Sequence, residues 1–325
     1  MLYQTNNPHG GDIYTEPIRL DFSASINPLG TPAQVINAMK QALEQSACSY
    51  PDPCCRKAVS SISSHEDVSP DHILMGNGAA ELIYSYCTAA APRKALIAEP
   101  TFSEYEAALA GNGCEITRHF LRQEDDFMLG ESFLSAVREQ KPDAVFLCDP
   151  NNPTGRLIPD NYLYEIVNLC ESFKIRLFLD ECFLDLTGKK SSLYRHLDKF
   201  PHLFILKALT KSYGLAGVRV GYCLTSDSGL LQHMSRTVQP WNVSVIAQAA
   251  VSAVFDGSDL LKEAIKLIGT ERIGLTKALH ALGFQVCPSE ANYILFRAPS
   301  GLDADLRKKG IAIRNCSNFH GLGAG

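Results

Sequence analysis

The stretch "LKALTKSYGLAGVRVGY" (residues 206–222) sets three cationic side chains into a segment otherwise built for burial. Lys207 reads as a solvated surface lysine. Lys211 does not, because it follows an apolar run that predicts a strand, precedes a glycine-rich turn and has Arg219 eight residues on. A lysine amine gives up its proton readily when desolvated beside another cation, whereas a guanidinium keeps its own. The spacing therefore marks Lys211 as a candidate reactive amine.

Working outward, further apolar runs predict buried strands: "KALIAEP" (94–100), "DAVFLCDP" (143–150), "IRLFLDECF" (175–183), "HLFILKAL" (202–209) and "VRVGYCL" (218–224). The segments between them are long enough for helices; "IPDNYLYEIVNLCESF" puts Leu163, Ile166, Val167 and Cys170 on one face. Buried strands alternating with helices predict an α/β fold with a mostly parallel central sheet and helices on both faces. Past Pro240, "WNVSVIAQAAVSAVFDG" reads as one long apolar connecting helix, and the remainder of the chain as a smaller α+β C-terminal domain. The expected division is an N-terminal arm at 1–30, a large domain at 31–240, and the connecting helix with the small domain at 241–325. The arm, "HGGDIYTEPIRLDFSASINPLGTP", is rich in turn residues and is expected to lie outside the core.

Composition narrows the function. In 325 residues, 46% hydrophobic and 20% charged content is that of an ordinary globular chain. A net charge of −5 offers no broad basic footprint, so nucleic acid is not the expected partner. No apolar run is long enough to span a bilayer, and the opening "MLYQTNNPHGG" is not a secretory leader. The eleven scattered cysteines, including the adjacent Cys54 and Cys55, show no zinc-like pairing and predict reduced structural thiols in a cytoplasmic protein, with no metal.

Three of the predicted strands end in a polar or turn element: "EPTF", "DPNNPTG" and "DECF". Ligands of open α/β sheets collect outside the carboxyl ends of their strands. Asp180 stands at such an end, and a carboxylate there is costly to bury unless a cation or donors meet it. "MGNGAAELIY" (75–84) runs from glycines straight into a helix, which offers free N–H groups and a positive dipole end to a phosphate. In "DPNNPTG" two prolines stiffen the loop that presents Asn152. An amine, a carboxylate, a phosphate seat and Arg219 together supply what pyridoxal 5′-phosphate needs.

These motifs, in this order, resemble the fold-type I, aspartate-aminotransferase superfamily of pyridoxal-phosphate enzymes over almost the whole chain. The resemblance implies that Lys211 carries the cofactor and that Asp180 pairs with its ring nitrogen. It implies that Asn152 donates to the phenolic oxygen, that Phe102 stacks on the ring, and that Gly78, Ala79, Thr210 and Arg219 hold the phosphate. Tyr50 of "YPDP" would reach that phosphate from a second subunit, which implies a homodimer with composite active sites. Within the superfamily the chain is similar to the branch of histidinol-phosphate aminotransferases and threonine-phosphate decarboxylases. "HGG" (9–11), "DFSASINPLG" (21–30), "QPWNVS" (239–244) and "RNCSNFHGLG" (314–323) resemble the decarboxylases of cobalamin biosynthesis. So does Phe183, where the aminotransferases usually have tyrosine. The implied substrate is a small phospho-amino acid, with His9, Asn27, Asn152 and Arg314 as its candidate ligands. The alternative is an aminotransferase acting on histidinol phosphate, which would share every cofactor residue. A ligand-sensing module of the same fold would need a basic DNA-binding domain ahead of the arm. Two departures stand out. Ala208 replaces a serine that often contacts the phosphate. The chain also ends at "GLGAG", where relatives continue into a strand with a second arginine, so the expectation is either that the small domain is truncated or that its substrate binding is compromised.

Overall fold

The computed structural model describes residues 9–188, 192–255 and 259–323. From the N-terminus run β1 (Leu20–Asp21), α1 (Ala33–Ser46), α2 (Arg56–Glu66), β2 (Ile73–Gly76), α3 (Gly78–Ala90), β3 (Lys94–Glu99), α4 (Glu104–Gly111) and β4 (Glu115–Phe120). Then come α5 (Glu131–Gln140), β5 (Ala144–Cys148), α6 (Asp160–Phe173), β6 (Arg176–Asp180), β7 (Leu203–Ala208), the single turn α7 (Leu209–Ser212), β8 (Gly221–Leu224) and α8 (Ser228–Thr237). The chain closes with α9 (Val245–Val254), α10 (Leu260–Ala281), β9 (Gln285–Val286), β10 (Phe296–Arg297), α11 (Leu302–Arg307) and β11 (Ile311–Ala312).

The central sheet has seven strands in the order β2-β8-β7-β6-β5-β3-β4. Only β8 opposes the rest, pairing antiparallel with both β7 and β2. Strand alternation sorts the side chains onto two faces. Leu96, Val145, Leu147, Leu177, Leu179, Leu203 and Ile205 meet α1, α2, α5, α6 and α9. Ala95, Ile97, Phe146, Phe178, Phe204 and Leu206 meet α3, α4 and α8 on the other side. On that second face Phe146, Phe178 and Phe204 stack in a row at 4.8 and 5.0 Å with Tyr86 edging into it. Burying each such ring stabilises the fold by about 1.5–3 kcal/mol.

Five of the sheet's strands coincide with the apolar runs read from the sequence; β2 and β4 do not. β2 has only four residues. β4 is an edge strand whose side chains are half-buried or exposed, so it carries no apolar run. The stretch expected as one long connecting helix is the ten-residue α9, whose Ala247, Ala250, Val251 and Val254 pack into the core of the large sheet. The long helix is the next one, the 22-residue α10, which sets Ala264 and Ile268 on Leu186 just past β6. The arm joins two parts of the molecule. β1 pairs parallel with β11, and Asn27 N–H donates to the Lys211 carbonyl at 2.9 Å.

This topology brings the candidate residues to one edge. β3, β5, β6 and β7 run parallel, so Phe102, Asn152, Asp180 and Lys211 leave the sheet at the same end. β8 enters at that end beside Ala208, and Gly76 of β2 pairs there with Gly221, which adds Arg219 and Gly78.

Candidate active site

At its carboxyl end β7 passes through Lys207 and Ala208 into α7. Lys207 belongs to the α2 face of the sheet, as alternation from Leu203 and Ile205 requires, and it is not the surface lysine that its charge suggests. It is 4% exposed, with Nζ 2.9 Å from Asp185 and 3.5 Å from Glu66. Burial opposes its charge, but Asp185, Glu66 and Glu181 more than offset this and raise its pKa well above the ordinary lysine value. Tyr222, from β8, donates to the same Glu66 at 2.5 Å.

Lys211 lies four residues on, in α7. Among the described residues no carboxylate lies at ion-pair distance from it, and its Nζ stands 5.3 Å from the centre of the Phe183 ring. Burial pulls the amine below the usual lysine range, and the Arg219 charge adds to that. The arm supports this turn from outside. Asn27 is 3% exposed, its Nδ2 donates to Ser212 O at 2.7 Å, and Thr31 Oγ1 donates to Gly214 O. The Oδ1 of Asn27 also accepts from Leu29 N, so the backbone already takes one donor and one acceptor of this amide.

Asp180 ends β6 at 5% exposure. Burial pushes its pKa up, and donors work against that: Cys182 N–H reaches Oδ1 at 2.9 Å and the Tyr105 hydroxyl reaches Oδ2 at 2.5 Å. Next along the edge is an anion seat. Gly78 opens the 13-residue α3 with φ +80°, and a β-carbon there would come within 2.6 Å of Arg219 Nη2. Gly221 meets the same helix start, where a β-carbon would stand 2.9 Å from Ala79 N. Two glycines thus let the guanidinium and the helix N-terminus converge. Among the described residues nothing accepts from the Gly78 and Ala79 N–H groups, and no carboxylate pairs with Arg219. Thr210, buried, belongs to the adjacent turn.

Asn151 ties the loop after β5 to the loop after β3, since it accepts from Thr101 Oγ1 at 3.0 Å and donates to Pro100 O at 2.9 Å. Asn152 beside it is half-buried, and its side-chain amide has no partner among the described residues. Phe102 is half-buried, edged by Tyr105 at 5.7 Å and by His9 at 5.6 Å. His9 Nε2 lies 2.8 Å from Glu104, which also accepts from the Tyr84 hydroxyl at 2.7 Å. Arg314 lies over the Phe319 ring at 5.2 Å and donates to Asn318 Oδ1 at 2.8 Å. Tyr50 is not gathered into this cluster within one chain: it is 79% exposed and stacks on Trp241 at 4.4 Å.

Tyr105, Glu104 and Tyr293 were not legible as site residues. Tyr293 donates to Asn151 O at 3.0 Å and edges the Phe183 ring at 5.0 Å. The one local hint for Tyr105 and Glu104 is their position just after "EPTF", where α4 begins. Among the described residues no group of acidic, histidine or cysteine side chains could hold a metal ion, and all eleven cysteines are free thiols. A desolvated amine, a buried carboxylate and an anion seat on one sheet edge match the carbonyl, the ring nitrogen and the phosphate of pyridoxal 5′-phosphate.

The chain is 36% identical to a threonine-phosphate decarboxylase from Salmonella typhimurium, over 98% of this chain and 90% of that one. It is 31% identical to a histidinol-phosphate aminotransferase from Caldanaerobacter subterraneus, over 96% of this chain and 88% of the relative. The crystal structure of the histidinol-phosphate aminotransferase from Clostridium acetobutylicum superposes with a TM-score of 0.86 at 30% identity, covering 94% of this chain and 92% of that one. The model for aminotransferase class I and II matches residues 17–323, and the chain belongs to that family.

Proposed function

We propose that this chain is a pyridoxal-phosphate-dependent carboxy-lyase that converts L-threonine O-3-phosphate into (R)-1-aminopropan-2-ol O-phosphate for cobalamin biosynthesis. The observation that carries this reading is the near-full-length likeness to the Salmonella decarboxylase, which exceeds that to the histidinol-phosphate aminotransferase.

When bound, the cofactor supplies an electron sink for the pair left by a bond broken at the substrate's α-carbon. The residues of this chain do the rest. Gly78, Ala79, Thr210 and Arg219 hold the phosphate through N–H groups, a hydroxyl and a guanidinium. With Ala208 in place of a serine, this set has one hydroxyl fewer. Asp180 holds a proton on the ring nitrogen, Phe102 covers one face, and Asn152 donates to the phenolic oxygen. Phe183 adds no hydroxyl there, which leaves that contact to Asn152. Lys211 carries the cofactor and then delivers a proton to the α-carbon once carbon dioxide has left; its lowered pKa suits both tasks.

Which bond breaks depends on how the substrate is held. Fixing the substrate at its phosphate and its carboxylate would select which bond at the α-carbon breaks. His9, Asn27 and Arg314 would be the ligands at that end and would fix the direction of the substrate carboxylate. The active unit would be a homodimer in which Tyr50 reaches the partner's phosphate seat, a reading supported by its exposure within one chain.

Release of carbon dioxide from O-phosphothreonine by the holoenzyme, without any keto acid, tests the reading. Conversion of histidinol phosphate with 2-oxoglutarate, and no carbon dioxide, would establish the aminotransferase instead.

A further inference from the structure

We propose that Tyr105 is a positioning residue for Asp180: its hydroxyl, 2.5 Å from Oδ2, keeps the carboxylate anionic and aimed so that the shared proton stays on the cofactor's ring nitrogen. The inference rests on the reading that Asp180 meets that nitrogen.

Three observations carry it. Tyr105 is fully buried in the aromatic cluster between α4 and the sheet, with its ring 5.8 Å from both Phe146 and Phe178. Its only proton can go to Asp180 or to the Cys148 thiol beside it, and a thiol is a weak acceptor. The hydroxyl therefore donates to the carboxylate. Both oxygens of Asp180 are then engaged, Oδ1 by Cys182 N–H and Oδ2 by Tyr105. A carboxylate held at both oxygens cannot rotate without breaking a bond. Its remaining lone pairs keep one direction.

The electrostatic consequence comes from the donor count. Hydrogen bonds to a carboxylate stabilise its charged form and make it a poorer proton acceptor. Burial pushes the other way and dominates at Asp180. The other titratable groups near Asp180 are Cys182, Lys211, Cys148 from β5 and Tyr293. Of these, Lys211 alone is a cation, and it is occupied once it carries the cofactor. In the loaded site the Cys182 thiol and the Tyr105 hydroxyl are the side chains that offset burial, and of the two the hydroxyl is the stronger donor, held at 2.5 Å. Without it the proton shared between carboxylate and ring nitrogen moves towards Asp180, and a neutral ring is a weaker electron sink.

The test uses full-length holoenzyme loaded with cofactor labelled with nitrogen-15 in the ring. In the parent protein the nitrogen signal should lie at the position of a protonated pyridine. In Tyr105→Phe it should move towards that of neutral pyridine, with kcat reduced and KM little changed. In the apoprotein the same substitution should raise the titration midpoint of the Asp180 carboxyl by about one to two pH units, read by infrared spectroscopy against Asp180→Asn. Incorporation of 3-fluorotyrosine at position 105, a stronger donor of nearly the same shape, should shift both readouts in the opposite sense, and it covers the case in which Tyr105→Phe folds poorly. If Asp180→Asn changes the nitrogen signal and neither Tyr105 variant does, the role of Tyr105 is overturned while that of Asp180 stands. If Asp180→Asn leaves the signal unchanged, the reading of Asp180 itself fails.

Discussion

Gly78→Ala probes the phosphate seat directly. At φ +80° a β-carbon strains the backbone by about 1–2 kcal/mol. That β-carbon would also lie 2.6 Å from Arg219 Nη2 and 3.0 Å from Cζ, closer than unstrained contacts allow. Arg219 is exposed, so its guanidinium can swing away at little cost to the fold. The cost falls on the seat, which loses a charge-assisted hydrogen bond worth about 1.5–3 kcal/mol, or about 10- to 150-fold in cofactor affinity. Gly113→Ala separates the two effects, because Gly113 has φ +73° and open space where the β-carbon would go. Thermal melts of both apoproteins should show a similar loss of stability. Titration with cofactor, followed by absorbance, should show a higher Kd only for Gly78→Ala. An unchanged Kd in that variant would refute the convergence of Gly78 and Arg219 on the phosphate.

Further outcomes concern the buried charges and the surface. Lys207→Ala should cost about 3–5 kcal/mol in denaturant unfolding, because it strands Glu66 and Asp185 without their cation; a loss below about 1 kcal/mol would mean the pair is solvated. Burial pushes Glu181 up to about 7 from an ordinary 4.5, so the folded state binds the extra proton and stability falls as pH rises through that window. Glu181→Gln should reduce the fall between pH 5 and pH 8 by on the order of 2 kcal/mol, leaving a remainder from Glu99, which burial also pushes to about 7. Mixing Lys211→Ala with a weakened Tyr50→Phe variant should restore activity as subunits exchange, since some hybrid sites are then intact; no recovery, or a fully active monomer, argues against composite sites.

Much of this protein can be read locally. The apolar runs that became β3, β5, β6, β7 and β8 are buried on both faces, so their hydrophobicity is continuous and visible in a short window. Asp180, Lys211 and Asn152 stand where such runs end, and a polar residue at that boundary is conspicuous in the sequence alone; Gly78 is visible instead as a glycine-rich entry to a helix in "MGNGAAELIY". What escaped is non-local. β4 is an edge strand with little to bury, so its existence depends on β3 beside it. Lys207 looked solvated because its partners Glu66 and Asp185 are brought to it only by α2 and by the turn after β6. Tyr105 donates to a residue 75 positions away, and no window of sequence spans that distance. The arm likewise pairs β1 with β11 and braces the Lys211 turn through Asn27, contacts that join segments far apart in the chain. Sequence patterning determined which segments are buried and where the chemistry-bearing side chains leave the sheet. Tertiary structure decided which charges are neutralised and which donors hold them, because a buried ionisable group takes its properties from neighbours set by the whole fold.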